Sequence, residues 1–244
     1  MENVSRETMP SMDDRAWTPV AALTDEQRER LEAFEEQLLR FNPRVNLISP
    51  ETEEAFWTRH LLHCLTLTAR GFPDGCTIVD WGTGGGLPAI PLAICFPETT
   101  VVGVDSVGKK VRAVRTIARR LGLENCFTWN GRAEEWTGEA HYSVARATAP
   151  LATLWRWHCR VFVPLDAPPN GDEWSPGLLA LKGGDLSDEI SDLRAVDSDV
   201  DVERFSLEGL LGRNGFFGEK EIVAVRRGGH HSKRYASACS SSNS

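Results

Sequence analysis

The sequence predicts a doubly wound α/β fold, with a mostly parallel sheet and an N-terminal helical extension. Short apolar runs rich in β-branched residues recur along the chain, beginning with CTIVD (76–80) and TTVVGVD (99–105). Segments of helical periodicity separate these runs, an alternation typical of parallel sheets that are covered by helices. The runs lack polar alternation, as expected of strands that are buried on both faces.

The size and composition suit one large domain with a modest appendage. The chain has 244 residues, of which 41% are hydrophobic and 25% charged, and these values argue against wholesale disorder, collagen and coiled coil. No stretch approaches 18 uncharged apolar residues, and the first residues contain no apolar signal segment. We therefore expect a soluble, cytoplasmic protein that does not contact membranes.

The extension is expected over residues 23–70, after a flexible tail at 1–22. Thr24 and Gln27 have capping-box spacing and begin a helix over 25–41, whose apolar residues recur at helical intervals. Pro43 is expected to stop this helix. Pro50 stands at the first position of a second helix, which runs to about residue 69.

The main domain is expected over residues 71–227, followed by a flexible, Ser-rich tail at 228–244. Helices are predicted at 89–95 and 107–121, and further strands at 126–130, 142–147, 178–183 and 221–227. The Pro- and Gly-rich stretch 164–177 is predicted to be a surface loop. Residues 185–204 contain eight acidic residues against two arginines, which predicts a solvated helix and connector.

The cysteines do not predict disulfides or a metal site. There are six, at wide spacings, without a C-x-x-C pair or a histidine at zinc-ligand spacing. We expect reduced, mostly buried thiols at Cys64, Cys76, Cys95, Cys126, Cys159 and Cys239.

A glycine-rich loop follows the first predicted strand. Gly82, Gly84 and Gly86 allow a sharp turn and a close approach of a ligand to backbone N–H groups. Asp105 ends the next strand about 20 residues further on, where a carboxylate can accept the hydroxyls of an adenosine ribose. Leu87 stands where the dinucleotide fingerprint G-x-G-x-x-G requires glycine.

The acid before these glycines favours S-adenosylmethionine over a nicotinamide dinucleotide. Asp80 can complement the sulfonium and ammonium charges of that cofactor, whereas a pyrophosphate is best bound without a carboxylate nearby. The alternative is that the glycines only form a tight turn and that Asp105 caps the helix over 107–121.

Six further segments carry a specific resemblance, from residue 25 to about residue 227. They are HLLHCL (60–65), DWGTGGGLPAIPLAI (80–94), DSVGKKVR (105–112), GRAEEW (131–136), ARATAPL (145–151) and LALKGG (179–184). Together with FNPRVNLIS (41–49), they resemble the motifs of the RsmG/GidB family, bacterial enzymes that form 7-methylguanosine in 16S ribosomal RNA. The G-L-P continuation of the glycine loop and the D-S-x-x-K-K turn are the most diagnostic parts.

The resemblance implies a class I methyltransferase fold, S-adenosylmethionine as cofactor, and 16S ribosomal RNA or the small ribosomal subunit as partner. Arg146 is the implied catalytic residue, at the place where methyl donor and base meet. The implied cofactor site places the glycines at the methionine part, Asp105 at the ribose, and Ala133 and Glu134 at the adenine. It comprises Asp80, Gly82, Gly84, Gly86, Leu87, Asp105, Ser106, Ala133, Glu134 and Arg146.

Four positions depart from the family pattern, and the loop at 164–177 is longer. Ala89 replaces a common Gly. His63 and Cys64 replace an Asp-Ser pair, which puts any contact of that acid in doubt. Trp81 replaces a small aliphatic residue, and we expect it to fill the core rather than to form a wall of the pocket.

Methylation of guanine N7 would need little from side-chain chemistry. This nitrogen has a lone pair and no proton, so the reaction requires alignment rather than a general base. We therefore expect His60, His63, His141 and His158 to be packed or surface residues. Arg146 could bind the guanine edge or the cofactor carboxylate, or could form a structural ion pair.

The charge of the chain at first argues against RNA, because the net charge is −8. Screening over roughly 8–10 Å makes the local surface decisive instead. The segment 109–120 contains six basic residues and no acid, which is either a track for RNA or a solvated face. The predicted RNA-binding residues are Lys109, Lys110 and Arg112 in this segment. Arg132 and Lys220 are added because the resemblance places them where the family has arginines linked to substrate or cofactor binding.

Other functions remain open at this point. The chain could methylate a small molecule or a protein, or it could be a non-catalytic module that binds RNA or the ribosome. A nicotinamide-dependent oxidoreductase is excluded by Leu87. We expect the protein to bind no metal and to be a monomer.

Overall fold

The computed structural model describes residues 19–211 and 217–228. The tails predicted at 1–22 and 228–244 fall almost entirely outside this range, as does Cys239. Seven strands form one sheet in the order β3-β2-β1-β4-β5-β7-β6. They are β1 (Thr77–Trp81), β2 (Thr100–Asp105), β3 (Cys126–Asn130), β4 (Tyr142–Arg146), β5 (Gly177–Gly183), β6 (Val200–Ser206) and β7 (Lys220–Arg227).

The predicted doubly wound, mostly parallel sheet is confirmed. Strands β1 to β5 pair in parallel, whereas β7 is antiparallel to both β5 and β6. The helices are α1 (Asp25–Val45), α2 (Leu62–Leu65), α3 (Ala89–Cys95), α4 (Gly108–Arg120), α5 (Leu151–Val161), α6 (Ser187–Val196) and α7 (Leu207–Leu211).

Hydrophobic clusters cover both faces of the sheet. In β1, Ile78 belongs to the cluster that contains residues of α1, α3 and α4, and Val79 belongs to the cluster with residues of α5 and α6. Trp81 is fully buried in the second cluster, as the core-filling interpretation predicted. The N-terminal extension therefore packs on the core of the main domain rather than on a core of its own.

Helix α1 runs four residues further than predicted. The capping box is confirmed, because Gln27 N–H donates to Thr24 Oγ1 at 3.1 Å. Pro43 does not stop the helix. Asn46 adopts a left-handed conformation and donates to the Asn42 carbonyl at 2.9 Å, and the Asn42 side chain accepts from Leu47 N–H at 2.6 Å. These bonds complete the last turn despite the N–H that proline lacks.

The second predicted helix is not one continuous α-helix. It consists of a 3₁₀ turn at Pro50–Thr52, a π turn at Trp57–Leu61, α2, and a 3₁₀ turn at Thr66–Ala69. Threonine hydroxyls bind carbonyls three residues earlier, as when Thr66 donates to His63 and Thr68 to Leu65. Such bonds compete with regular helical hydrogen bonds, and they supply the physical reason for the irregularity.

The prediction for residues 185–204 was wrong in its second half. Strand β6 occupies Val200–Ser206 at the edge of the sheet, where its acids face solvent. Arg226 on β7 forms an ion pair with Glu203, and Arg204 binds Glu221 through two hydrogen bonds of 2.6 Å. Cross-strand ion pairs of this kind stabilise a charged edge strand that lacks an apolar signature.

The loop at 164–177 lies mostly at the surface, but one side chain anchors it in the core. Trp174 is 2% exposed, and its indole N–H donates to the Leu67 carbonyl at 2.8 Å. Its own carbonyl accepts from the Tyr142 hydroxyl at 2.7 Å. The loop is therefore fastened to both the extension and the sheet.

Neither a membrane-spanning helix nor a cluster of metal-ligating side chains occurs in the described part of the chain. The five cysteines within it are free thiols.

Candidate active site

A cavity of about 440 Å³ opens at the carboxyl ends of β1, β2 and β4. The strand order reverses between β1 and β4, and ligands of open α/β sheets bind at such a switch point. The cavity is bounded by four segments and several single side chains, namely 82–85, 104–106, 131–134 and 146–148 together with Leu47, Leu87, Lys110 and Trp157.

The glycine loop forms the floor of the cavity. Gly82 has a φ of 70°, and a Cβ placed on it would lie 2.4 Å from Cγ2 of Thr148, so only glycine fits this position. The N–H groups of Gly82 and Thr83 both donate to the Val104 carbonyl, at 2.8 and 3.0 Å. The loop is therefore attached to the end of β2 while its surface faces the cavity.

Asp105 connects the loop with helix α4. One carboxylate oxygen accepts from Gly84 N–H at 2.9 Å, and the other accepts from Val107 N–H at 2.8 Å. Each oxygen keeps a further lone pair, and Asp105 lines the cavity. Val107 precedes the first residue of α4, and no side chain caps this helix, so the interpretation of Asp105 as a helix cap is wrong. The remaining lone pairs of Asp105 can accept ligand hydroxyls.

Asp80 and Gly86 do not line the cavity, contrary to the prediction that they contact the cofactor. Asp80 is fully buried, and its carboxyl accepts from Ala89 N–H at 3.2 Å at the start of α3. Burial raises the pKa of Asp80 to about 7, so the carboxyl is largely protonated at acid pH. Gly86 lies beneath the loop against Ile90, where an added Cβ would meet the Ile90 side chain at 2.8 Å.

The segment that follows β3 forms one wall of the cavity. Ala133 and Glu134 belong to a 3₁₀ turn that lines the cavity, together with Arg132. The Ala133 carbonyl accepts a hydrogen bond from Arg160 on α5, which fastens this turn. Trp157, also on α5, lines the cavity beside it and was not predicted. Helical periodicity alone did not distinguish Trp157 from an ordinary packing residue.

Arg146 ends β4 at the opposite wall. The next residue, Ala147, has a φ of 53°, an unfavourable conformation for a residue with a side chain. Thr148 then donates to the Trp81 carbonyl at 2.8 Å. Lys182 on β5 donates to the Ala149 carbonyl at 2.7 Å and binds Glu189 at 2.8 Å, so the turn after Arg146 is fixed.

The histidines divide into two groups. His158 is buried and contacts Ser143 at 2.9 Å, His63 is buried, and His141 accepts from Thr77 N–H at 2.8 Å. These three are packing residues, as predicted. His60 differs, because its Nδ1 lies 3.1 Å from Nη1 of Arg146. The sequence contained no signal for this contact between residues 86 positions apart.

The predicted RNA-binding residues do not form one cluster. Lys110 and Arg132 line the cavity, whereas Lys109 and Arg112 lie on α4 outside its lining. Lys220 is half-buried, and burial lowers its pKa, with further lowering from the charges of Arg146 and Arg59. The ammonium group of Lys220 therefore lies near the guanidinium group of Arg146.

The basic face of α4 is partly used by the fold itself. Arg115 donates to the Thr128 hydroxyl at 3.0 Å and also to the Thr128 carbonyl. Arg120 donates to Gln37 on α1 and stacks over Phe41 at 5.5 Å. These two arginines attach α4 to its neighbours, while Lys109 and Arg112 are exposed and accessible to a partner.

The comparisons with known proteins agree on one family. The family model described as rRNA small subunit methyltransferase G matches residues 27–204. A ribosomal RNA small subunit methyltransferase G of Salinibacter ruber is 78% identical over 215 residues, covering 88% of this chain and 100% of that relative. A protein of the same name from Christiangramia forsetii is 42% identical over 203 residues, covering 83% and 91%.

Solved structures are similar in fold alone. A fibrillarin/Nop5p complex matches with a TM-score of 0.51 at 11% identity, covering 70% of this chain and 83% of the solved one. A ribosomal protein L11 methylase from Lactobacillus delbrueckii subsp. bulgaricus matches with a TM-score of 0.50 at 15% identity, covering 69% and 78%.

Proposed function

The chain belongs to the rRNA small subunit methyltransferase G family, and from this premise we propose that it transfers a methyl group from S-adenosylmethionine to N7 of a guanine in 16S ribosomal RNA. The observation that carries the proposal is the cavity at the switch point of the sheet. It combines a floor that requires glycine at position 82, a cavity-lining carboxylate at Asp105 and the guanidinium of Arg146.

The residues of the cavity suit an adenosine-containing cofactor. Asp105 retains lone pairs for the ribose hydroxyls, and the turn at Ala133 and Glu134 lies beside it. The cavity volume of about 440 Å³ falls within the usual range of cofactor pockets. The cofactor supplies an electrophilic methyl group when it is bound. Leu87 and Ser106 complete the site that we propose, whereas Asp80 supports it from below.

The chain's own residues would orient and shield the reaction. N7 of guanine already presents a lone pair, so no side chain has to remove a proton. Arg146 can donate a hydrogen bond to O6 of the base, which leaves N7 free, or two hydrogen bonds to a carboxylate, because its guanidinium is planar and always charged. Orientation of this kind can account for about 7–11 kcal/mol of the activation barrier.

The RNA would approach over the basic residues around the cavity. Lys110, Arg132 and Lys220 lie at or near its walls, and Lys109 and Arg112 extend the charge along α4. Because the chain as a whole is acidic, we propose that binding depends on the shape of the folded target and weakens with salt.

The decisive experiment maps N7-methylated guanines in 16S RNA from cells with and without this protein. We expect one methylated guanine to disappear in the deletion strain, and to return when the wild-type gene is supplied. An unchanged methylation map would contradict the proposal. Calorimetric titration with S-adenosylmethionine separates an enzyme from a non-catalytic ribosome-binding protein, because only the enzyme requires the cofactor.

A further inference from the structure

A chain of hydrogen bonds connects Arg146 with the N-terminal extension. Nη1 of Arg146 lies 3.1 Å from Nδ1 of His60, and Nε2 of His60 lies 2.7 Å from Oγ1 of Thr52. The Thr52 hydroxyl in turn donates to the Ser49 carbonyl at 2.8 Å. Residues of β4, the π turn and the 3₁₀ turn thus form one continuous path, which ends at Ser49, just before the 3₁₀ turn.

The donors and acceptors along this path have only one consistent assignment. An arginine only donates, so Nδ1 of His60 must accept. The single hydrogen of the Thr52 hydroxyl is directed to Ser49, so Oγ1 must accept from Nε2–H of His60. His60 is therefore neutral and carries its proton on Nε2.

The surroundings of His60 keep it neutral. Burial, together with the positive charges of Arg146 and Arg59, lowers the pKa of His60 to about 4. The Phe56 ring packs at 6.0 Å between centroids and adds apolar surface. The lone pair of Nδ1 is thus available to Arg146 throughout the neutral range of pH.

Arg146 has few other restraints. Among residues 19–211 and 217–228 no carboxylate forms an ion pair with it, which argues against a structural ion pair, and its Nε is buried without a hydrogen-bond partner. The contact with His60 therefore determines where the free face of the guanidinium points. Resting on the proposed function, we infer that His60 and Thr52 are positioning residues that orient Arg146 toward the methyl acceptor.

The first test compares substitutions that remove or retain the acceptor. His60→Leu should lower kcat about 10- to 100-fold, because a small misplacement of an orienting group has effects of that size. His60→Asn should recover most of the loss, since its side-chain oxygen lies near the position of Nδ1. His141→Leu is the matched control, because it removes a half-buried histidine acceptor outside the cavity, and its kcat should equal that of the wild type.

The second test asks whether Thr52 acts through His60. Thr52→Val should slow turnover on the wild-type background and have no further effect on the His60→Leu background. Independent, additive effects would overturn the inference, as would wild-type kcat in His60→Leu or equal losses in His60→Leu and His60→Asn.

A third measurement does not depend on methyl transfer. Nitrogen-15 NMR of the histidine rings should show the Nε2–H tautomer for His60, and Arg146→Ala should change the Nδ1 shift. An Nδ1–H tautomer, or an Nδ1 shift that Arg146→Ala leaves unaltered, refutes the hydrogen-bond chain. A wild-type protein inactive on small ribosomal subunits would instead refute the proposed function, and NMR would still decide this inference.

Discussion

Replacing Gly82 with alanine tests why the floor of the cavity requires glycine at this position. A side chain would be disfavoured both by the backbone conformation and by steric contact with a neighbouring residue. At a φ of 70°, a side chain at this position costs about 1–2 kcal/mol of stability. The added Cβ would also lie 2.4 Å from Cγ2 and 2.6 Å from Oγ1 of Thr148. Overpacking of this kind costs about 1–3 kcal/mol more.

Gly75 provides a matched control. Its φ is 75°, and an added Cβ would meet no atom within 4 Å. Gly75→Ala should therefore lower the free energy of unfolding only by the cost of the backbone conformation, about 1–2 kcal/mol. Gly82→Ala should lower it by about 2–5 kcal/mol, because the steric contact adds to that cost. The entropy that alanine removes from the unfolded chain is common to both variants and cancels in the comparison.

The assay is urea unfolding followed by circular dichroism, with calorimetric titration of S-adenosylmethionine on the folded variants. We expect weakened cofactor binding in Gly82→Ala and unchanged binding in Gly75→Ala. Combining Gly82→Ala with Thr148→Ala removes the nearest contact atoms, so the double variant should regain the free energy of unfolding that overpacking costs. Equal free energies of unfolding for Gly82→Ala and Gly75→Ala would refute the contact argument.

Three further substitutions test individual side chains. Arg146→Ala should abolish methyl transfer to small ribosomal subunits with an unchanged circular dichroism spectrum, and wild-type turnover would exclude its role. Asp105→Ala should weaken S-adenosylmethionine binding strongly, because the ribose loses its acceptor; calorimetry showing unaltered affinity would contradict this. Because burial raises the pKa of Asp80 to about 7, the protonated carboxyl stabilises the fold at acid pH, and this contribution is lost as pH rises toward 7. Asp80→Asn should therefore gain stability relative to wild type between about pH 4 and pH 7 in urea unfolding, and a pH-independent difference would show that Asp80 is not buried as described.

Local patterns accounted for most of the elements. The capping box at Thr24, helix α3 and the central strands follow from cap chemistry and hydrophobic periodicity, which depend on a few neighbouring residues. The predictions from sequence were wrong where contacts between residues far apart in the chain, or with a neighbouring loop, determine the local structure. Helix α1 continues past Pro43 because the Asn42 side chain binds the residues that follow. Strand β6 forms because its acids pair with Arg226 on the neighbouring strand β7.

The cavity could be predicted in outline but not in its details. The glycines and Asp105 were identifiable because a tight strand-to-helix turn and the end of the next strand have characteristic residues and spacing. The burial of Asp80 beneath the loop could not be predicted, because an acid at this position could equally have faced a ligand. Trp157 was missed because an aromatic residue on an amphipathic helix has the same periodicity whether it lines a cavity or packs in the core.

The sequence by itself determined the α/β class, the position of the glycine loop and the family, because these properties depend on residue types at short, fixed spacings. Only the tertiary structure decided which side chains surround Arg146. His60 and Arg146 lie 86 residues apart, on the extension and on β4, and no local periodicity relates them. Their contact results from packing of the extension against the sheet, which brings a neutral histidine acceptor to the guanidinium.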